Sequence, residues 1–151
     1  KHISVAYSLD NLAESYKAEA NYKQAETLYG KALAIKQQQL GDEHLDTAIS
    51  YNNLAAIYDQ QGKYLQAEPL YQKVLNIKQK LLGENHLSTA ISWNNLAFVY
   101  EFQGKHQEAE YAYQAALNIA REQLGDNHPD TATFYANLAR INNAQGKYEL
   151  A

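Results

Sequence analysis

The chain has 151 residues, 46% of them hydrophobic and 20% charged. That is enough for one folded domain and too apolar for a disordered segment. A net charge of −4 without any lysine- or arginine-rich stripe argues against nucleic acid and anionic membrane surfaces as partners, and the lack of cysteine excludes disulfides, thiolate catalysis and Cys-ligated zinc.

In chain order, apolar residues recur at helical spacing. The pattern predicts helices over residues 2–18, 22–39, 45–60, 64–81, 87–102, 106–123 and 129–144, with an eighth beginning in 147–151. The first two helices meet at a turn holding Ala20, where the later turns hold Gly62, Gly104 and Gly146. In the third, Ala48, Tyr51, Leu54, Ala55 and Tyr58 share one face, and Gly62 suits the stop. The fourth carries Tyr64, Ala67, Tyr71, Val74, Leu75 and Leu81 and ends at Leu82-Gly83; Pro69, past its first turn, is expected to bend it or delay its regular start. The polar link from Gly41 to Asp46 leads into the third helix, and Pro129 sits at the matching point of the last link, where a first helical position tolerates proline. Asp46, Ser88 and Asp130 lie near helix starts, as caps or as partners of the helix dipole. No strand-like alternation appears, and no run approaches the ~20 apolar residues of a bilayer span. The fold expected is all-α.

The chain also repeats. Leu-Gly occurs at 40, 82 and 124, and residues 40–81 laid over 82–123 give 23 identities in 42 positions. His2, His44, His86 and His128 form one column; Asn11, Asn53, Asn95 and Asn137 form another. We read one domain, 1–151, with repeats at approximately 1–41, 42–83, 84–125 and an incomplete 126–151. Paired alanines (Ala55 with Ala67, Ala97 with Ala109) allow close helix approach, and the tyrosine columns 16/58/100 and 29/71/113 are expected in the core. One hairpin cannot bury such a face alone, so neighbouring units must cover it.

The residues Tyr51, Leu54-Ala55, Tyr58, Gly62-Lys63-Tyr64, Ala67, Tyr71 and Val74, and their counterparts Trp93, Leu96-Ala97, Tyr100, Gly104, Ala109, Tyr113 and Ala116, resemble the tetratricopeptide repeat. The unit is 42 residues rather than the usual 34, and Gln37, Gln79 and Arg121 replace the usual terminal proline. The long unit, with Asn-Asn-Leu-Ala and Leu-Gly-x-x-His, resembles the repeats of kinesin light chains. The resemblance implies a right-handed α-α superhelix of antiparallel hairpins. It also implies a protein-protein interaction scaffold whose first helices line a groove for a peptide or partner segment.

On this resemblance the groove positions are Asp10, Asn11, Glu14 and Lys17, then Asn52, Asn53, Ala56 and Asp59, then Asn94, Asn95, Phe98 and Glu101, then Ala136, Asn137, Arg140 and Asn143. A row of asparagines offers donors and acceptors to an extended backbone; equally, it could tie neighbouring helices together. Glu14, Ala56, Phe98 and Arg140 share a column but no chemistry, which would give specificity. Phe98 serves either as a pocket wall or in packing between repeats. Arg140 either pairs with a carboxylate or is a solvated charge. Asp10 and Glu14 would repel the C-terminal carboxylate held by chaperone-tail binders.

Histidines one repeat apart are separated by a helix spacing of ~8–10 Å and cannot share a zinc ion at ~2.0–2.1 Å; a capping or packing role in the linker is expected, and no metal or cofactor. No nucleophile–base constellation or phosphate loop stands out, so no enzyme is expected. A rival reading is self-assembly, a homo-oligomer formed through exposed terminal helix faces. In that reading Tyr135, Leu138 and Ile141 lack cover. A lysine at position 1 and no methionine anywhere read as a piece or processed form of a longer protein. The cytoplasm is the default compartment.

Overall fold

The computed structural model describes residues 2–146. Among these, the chain forms seven helices and no strand: α1 (Ile3–Ala18), α2 (Tyr22–Leu40), α3 (Leu45–Gln60), α4 (Tyr64–Leu82), α5 (Leu87–Phe102), α6 (His106–Leu124) and α7 (Pro129–Ala144). Every expected helix is present to within one residue at each end. The expected eighth helix lies outside the described residues. The fold is an all-α repeat of helical hairpins. It divides into two compact units, residues 1–77 and 78–151, with the division inside α4.

Helix starts follow from the histidine column. His2, His44, His86 and His128 are the N-caps of α1, α3, α5 and α7. Each ring Nδ1 accepts the backbone N–H two residues on, from Ser4, Asp46, Ser88 and Asp130, at 3.2, 3.0, 3.0 and 3.1 Å. The histidine therefore satisfies a donor that the helix itself cannot. Asp46 and Asp130 are not the caps; they sit in the first turn, where a carboxylate complements the helix dipole.

Helix ends follow from backbone conformation. Gly62 takes φ +72 in the turn between α3 and α4, a region costly for a residue with a Cβ. At the matching turn of the first hairpin Ala20 adopts φ 59, the one non-glycine among the described residues in that region. α4 runs unbroken from Tyr64 with Pro69 inside it, so the delayed start does not occur.

In the first unit α1 packs on α2 and α2 on α3. Ala13, Ala25, Ala55 and Ala67 are fully buried, while Tyr29, Tyr51 and Tyr71 fill the space beside them. The buried Thr47 hydroxyl donates to Gly41 O at 2.8 Å, locking the start of α3 to the end of α2. In the second unit α5 packs on α6 and α6 on α7, around Ala97, Ala109, Tyr113, Leu117 and Leu138. Thr89 repeats the lock onto Gly83 O at 2.8 Å. The tyrosines of column 16/58/100 flank the cores, partly buried, instead of filling them.

One expectation fails at α7. Leu138 and Ile141 are buried in the cluster with α5 and α6; their face is the one turned to the preceding hairpin. Tyr135, 54% exposed, is the uncovered one. Ala139 is exposed too, although its counterparts Ala13, Ala55 and Ala97 are buried.

Candidate recognition faces on the first helices

In the first unit the candidate residues lie on α1 and α3. The Tyr7 hydroxyl donates to Asp46 Oδ2 at 2.6 Å, bridging the two helices. Lys36, 2% exposed, donates from α2 to Asp10 Oδ2 at 2.7 Å and sits 4.9 Å from the Tyr7 ring centre. Asn11 and Glu14 are exposed; Asn52, Asn53, Ala56 and Asp59 are half-buried. The Tyr29 hydroxyl donates to Glu14, and Lys17 Nζ donates to the same carboxylate at 3.0 Å. The Tyr29 bond chiefly, then Lys17, holds the Glu14 carboxyl below its usual range, while burial first and Glu14 second push the Tyr29 hydroxyl up. One turn further along α3, Asp59 accepts from the Tyr71 hydroxyl at 2.7 Å; burial raises the Asp59 carboxyl in spite of that bond.

In the second unit the face is built from α5 and α7. Asn137 Nδ2 donates to Asn94 Oδ1 at 2.9 Å, so here the asparagine row joins neighbouring first helices. Arg140 pairs with Glu101, donates to the Tyr113 hydroxyl at 3.3 Å and lies over that ring at 5.9 Å. It is therefore a partnered charge. The Tyr113 hydroxyl donates to Glu101 at 3.1 Å, and burial pushes it up to about 12. Asn95 is half-buried. Phe98 is exposed and packs on Phe102, also exposed, with ring centres 4.5 Å apart. At the N-terminal end of these helices, Leu87, Ile91, Asp130, Thr133 and Phe134 line a cavity of about 270 Å³.

The structure thus brings Asn94 to Asn137 and Glu101 to Arg140. It turns Glu14, Asp59 and Glu101 toward the tyrosine of their own hairpins. It also reveals an exposed repeat column that the groove assignment omits. Tyr7, Ile49 and Ile91 occupy one repeat position and are 44%, 51% and 52% exposed, and the fourth repeat has the exposed Thr133 there. The signal in the sequence was an apolar column at the 42-residue offset lying off the core stripe. Exposed apolar residues on the second helices, such as Leu65 and Tyr111, do not recur: their columns read Lys23, Leu65, Gln107 and Thr27, Pro69, Tyr111.

The tetratricopeptide-repeat family model matches residues 3–80, 60–121 and 88–151. The chain belongs to the tetratricopeptide-repeat family. Tetratricopeptide repeats generally mediate protein-protein interaction or scaffolding, binding protein or peptide partners, and the family is generally non-enzymatic. Among solved structures, the chain is similar to BtubC (BKLC) from P. vanneervenii, at 28% identity and TM-score 0.87, over 95% of this chain and 57% of that one. It is similar to a putative kinesin light chain with nearly identical TPR-like repeats from Podosopora anserina, at 29% identity and TM-score 0.87, over 99% of this chain and 71% of that one. The apo form of RapI shares the fold, at 18% identity and TM-score 0.84, over 99% of this chain and 53% of that one. The chain therefore spans little more than half the length of the first of these. No curated protein matches it in sequence. No helix among the described residues is long and apolar enough to cross a membrane.

Proposed function

We infer that this tetratricopeptide-repeat chain is a recognition scaffold that holds an extended peptide, or a segment of a partner protein, against the exposed faces of its first helices. The observation that carries the reading is the repeat column Tyr7, Ile49 and Ile91, apolar and exposed in three repeats, with the exposed Thr133 in the fourth. Repeat packing accounts for the buried columns; of this one, Tyr7 also bridges to Asp46 on α3, while Ile49 and Ile91 leave about half of their surface open. Polar groups stand one turn along each helix from it, Asn11 and Asn53 in the first unit and Asn95 in the second, while the Asn137 amide donates to Asn94. Amides there supply backbone hydrogen bonds, while Ala56, Phe98 and Arg140 vary the surface from repeat to repeat. Arg140 keeps its charge paired with Glu101, so a partner meets a fixed guanidinium–aromatic platform and not a mobile cation.

A twelve-residue random peptide library selected on the full chain, followed by calorimetry of the recovered peptide, tests this. The expected result is a loss of about tenfold or more in affinity in the combined Asn53→Ala, Asn95→Ala, Phe98→Ala variant, since anchor residues commonly contribute more than about 1 kcal/mol each. Unchanged affinity would reject these faces as the site.

A second reading rests on α7. Its exposed Tyr135 and Ala139 face is one that a copy of the chain could cover. Self-association through it predicts a mass that rises with concentration and stays monomeric in Tyr135→Ser.

A further inference from the structure

We propose that the cavity between the N-terminal turns of α5 and α7 takes a lysine or arginine side chain of the partner. The proposal rests on the recognition reading above and specifies its chemistry at one point. The walls are apolar, formed by Leu87 and Ile91 on α5 and Phe134 on α7, and the only ionisable group among the lining residues is Asp130. A long basic side chain matches that arrangement, because its methylene stem lies along apolar surface while its head stays at the rim with the carboxylate.

The charge distribution of this unit supports the same occupant. On α5 and α7 the charged residues are Glu101, Asp130 and Arg140. Glu101 and Arg140 pair with each other, which leaves Asp130 as the carboxylate on these two helices with no lysine or arginine partner on either; Lys78, from α4, donates to Ser88 O at 3.4 Å at the start of α5. His128 Nδ1 lies 4.0 Å from its carboxylate, but the ring lone pair at that nitrogen accepts the Asp130 backbone N–H. That nitrogen is thereby engaged with the backbone and not with the carboxylate. A basic partner gains from this field, and an acidic one is repelled.

Side-chain mimics test the cavity independently of any peptide. The full chain is titrated with n-butylammonium, n-butanol and pentanoate while the methyl resonances of Leu87, Ile91 and Thr133 are followed by NMR. The expected result is saturable shifts with n-butylammonium, affinity about three- to fivefold weaker for n-butanol, which is what an exposed ion pair supplies, and no response to pentanoate at the same concentrations. In Asp130→Asn, whose His128 cap is untouched, n-butylammonium should fall to the level of n-butanol. Pentanoate binding as well as n-butylammonium, no shift with any probe, or a preference that survives Asp130→Asn would each overturn the proposal. Any of these, found alongside a selected peptide that still depends on Asn53, Asn95 and Phe98, would remove the basic pocket and leave the recognition faces standing.

Discussion

His86 shows how one side chain sets a helix start. Its ring nitrogen takes the Ser88 N–H at 3.0 Å, so His86→Ala should cost about 1 kcal/mol of stability in urea unfolding, and His86→Asn, which keeps an acceptor, should recover most of it. Ala20 is the opposite case, a residue in a conformation that suits it poorly. Ala20→Gly should raise stability by about 1 kcal/mol; a lower midpoint in the variant would show that the turn carries no strain. The polar group at Asp42 gives a pH signature. The Tyr51 hydroxyl first, then Gln37 and Lys73, hold its carboxyl down to about 2. A carboxyl lowered by folding stabilises the fold above its ordinary range, and that contribution disappears as the pH falls toward about 2. Tyr51→Phe should move the Asp42 titration upward, as followed by its carboxyl carbon shift, and flatten the stability profile in that acidic window.

At the scale of elements, the repeat made nearly everything legible. Glycine stops, alanine pairs and tyrosine columns fixed seven helices because the same solution recurs at one offset, and each copy checks the others. What stayed hidden were contacts made by side chains with two possible uses. A histidine before a helix reads as cap or as packing; only the ring position shows that Nδ1 faces the N–H. The threonines 47 and 89 look like ordinary helix residues, yet each is buried and ties a helix start to the preceding glycine carbonyl. Thr89→Val should therefore cost about 1 kcal/mol, the net value of one such bond, with little change in helix content by circular dichroism. Leu138 and Ile141 are hidden for a related reason: an amphipathic helix has two apolar neighbours to choose between, and periodicity does not say that these residues face the preceding hairpin.

For the whole molecule, the sequence points to candidate faces on the first helices, and the structure shows which of their side chains the chain itself engages. First-helix positions were identified through the family resemblance. Several of the polar ones, however, are engaged within the chain: Glu14 with Tyr29, Asp59 with Tyr71, Glu101 with Arg140. Polar residues on a helix face do not announce whether they serve a ligand or a neighbour. The column Tyr7, Ile49 and Ile91 is the better marker, because at Ile49 and Ile91 exposed apolar area recurs at one repeat position with no return in folding free energy. The chain's account as a recognition scaffold stands or falls there. The most direct measurement is methyl-resonance mapping of a selected peptide on the full chain. The largest shifts are expected at Ile49 and Ile91, with Leu65 on the second helix of its hairpin unmoved. Shifts confined to Leu65 and its neighbours, with Ile49 and Ile91 silent, would contradict it.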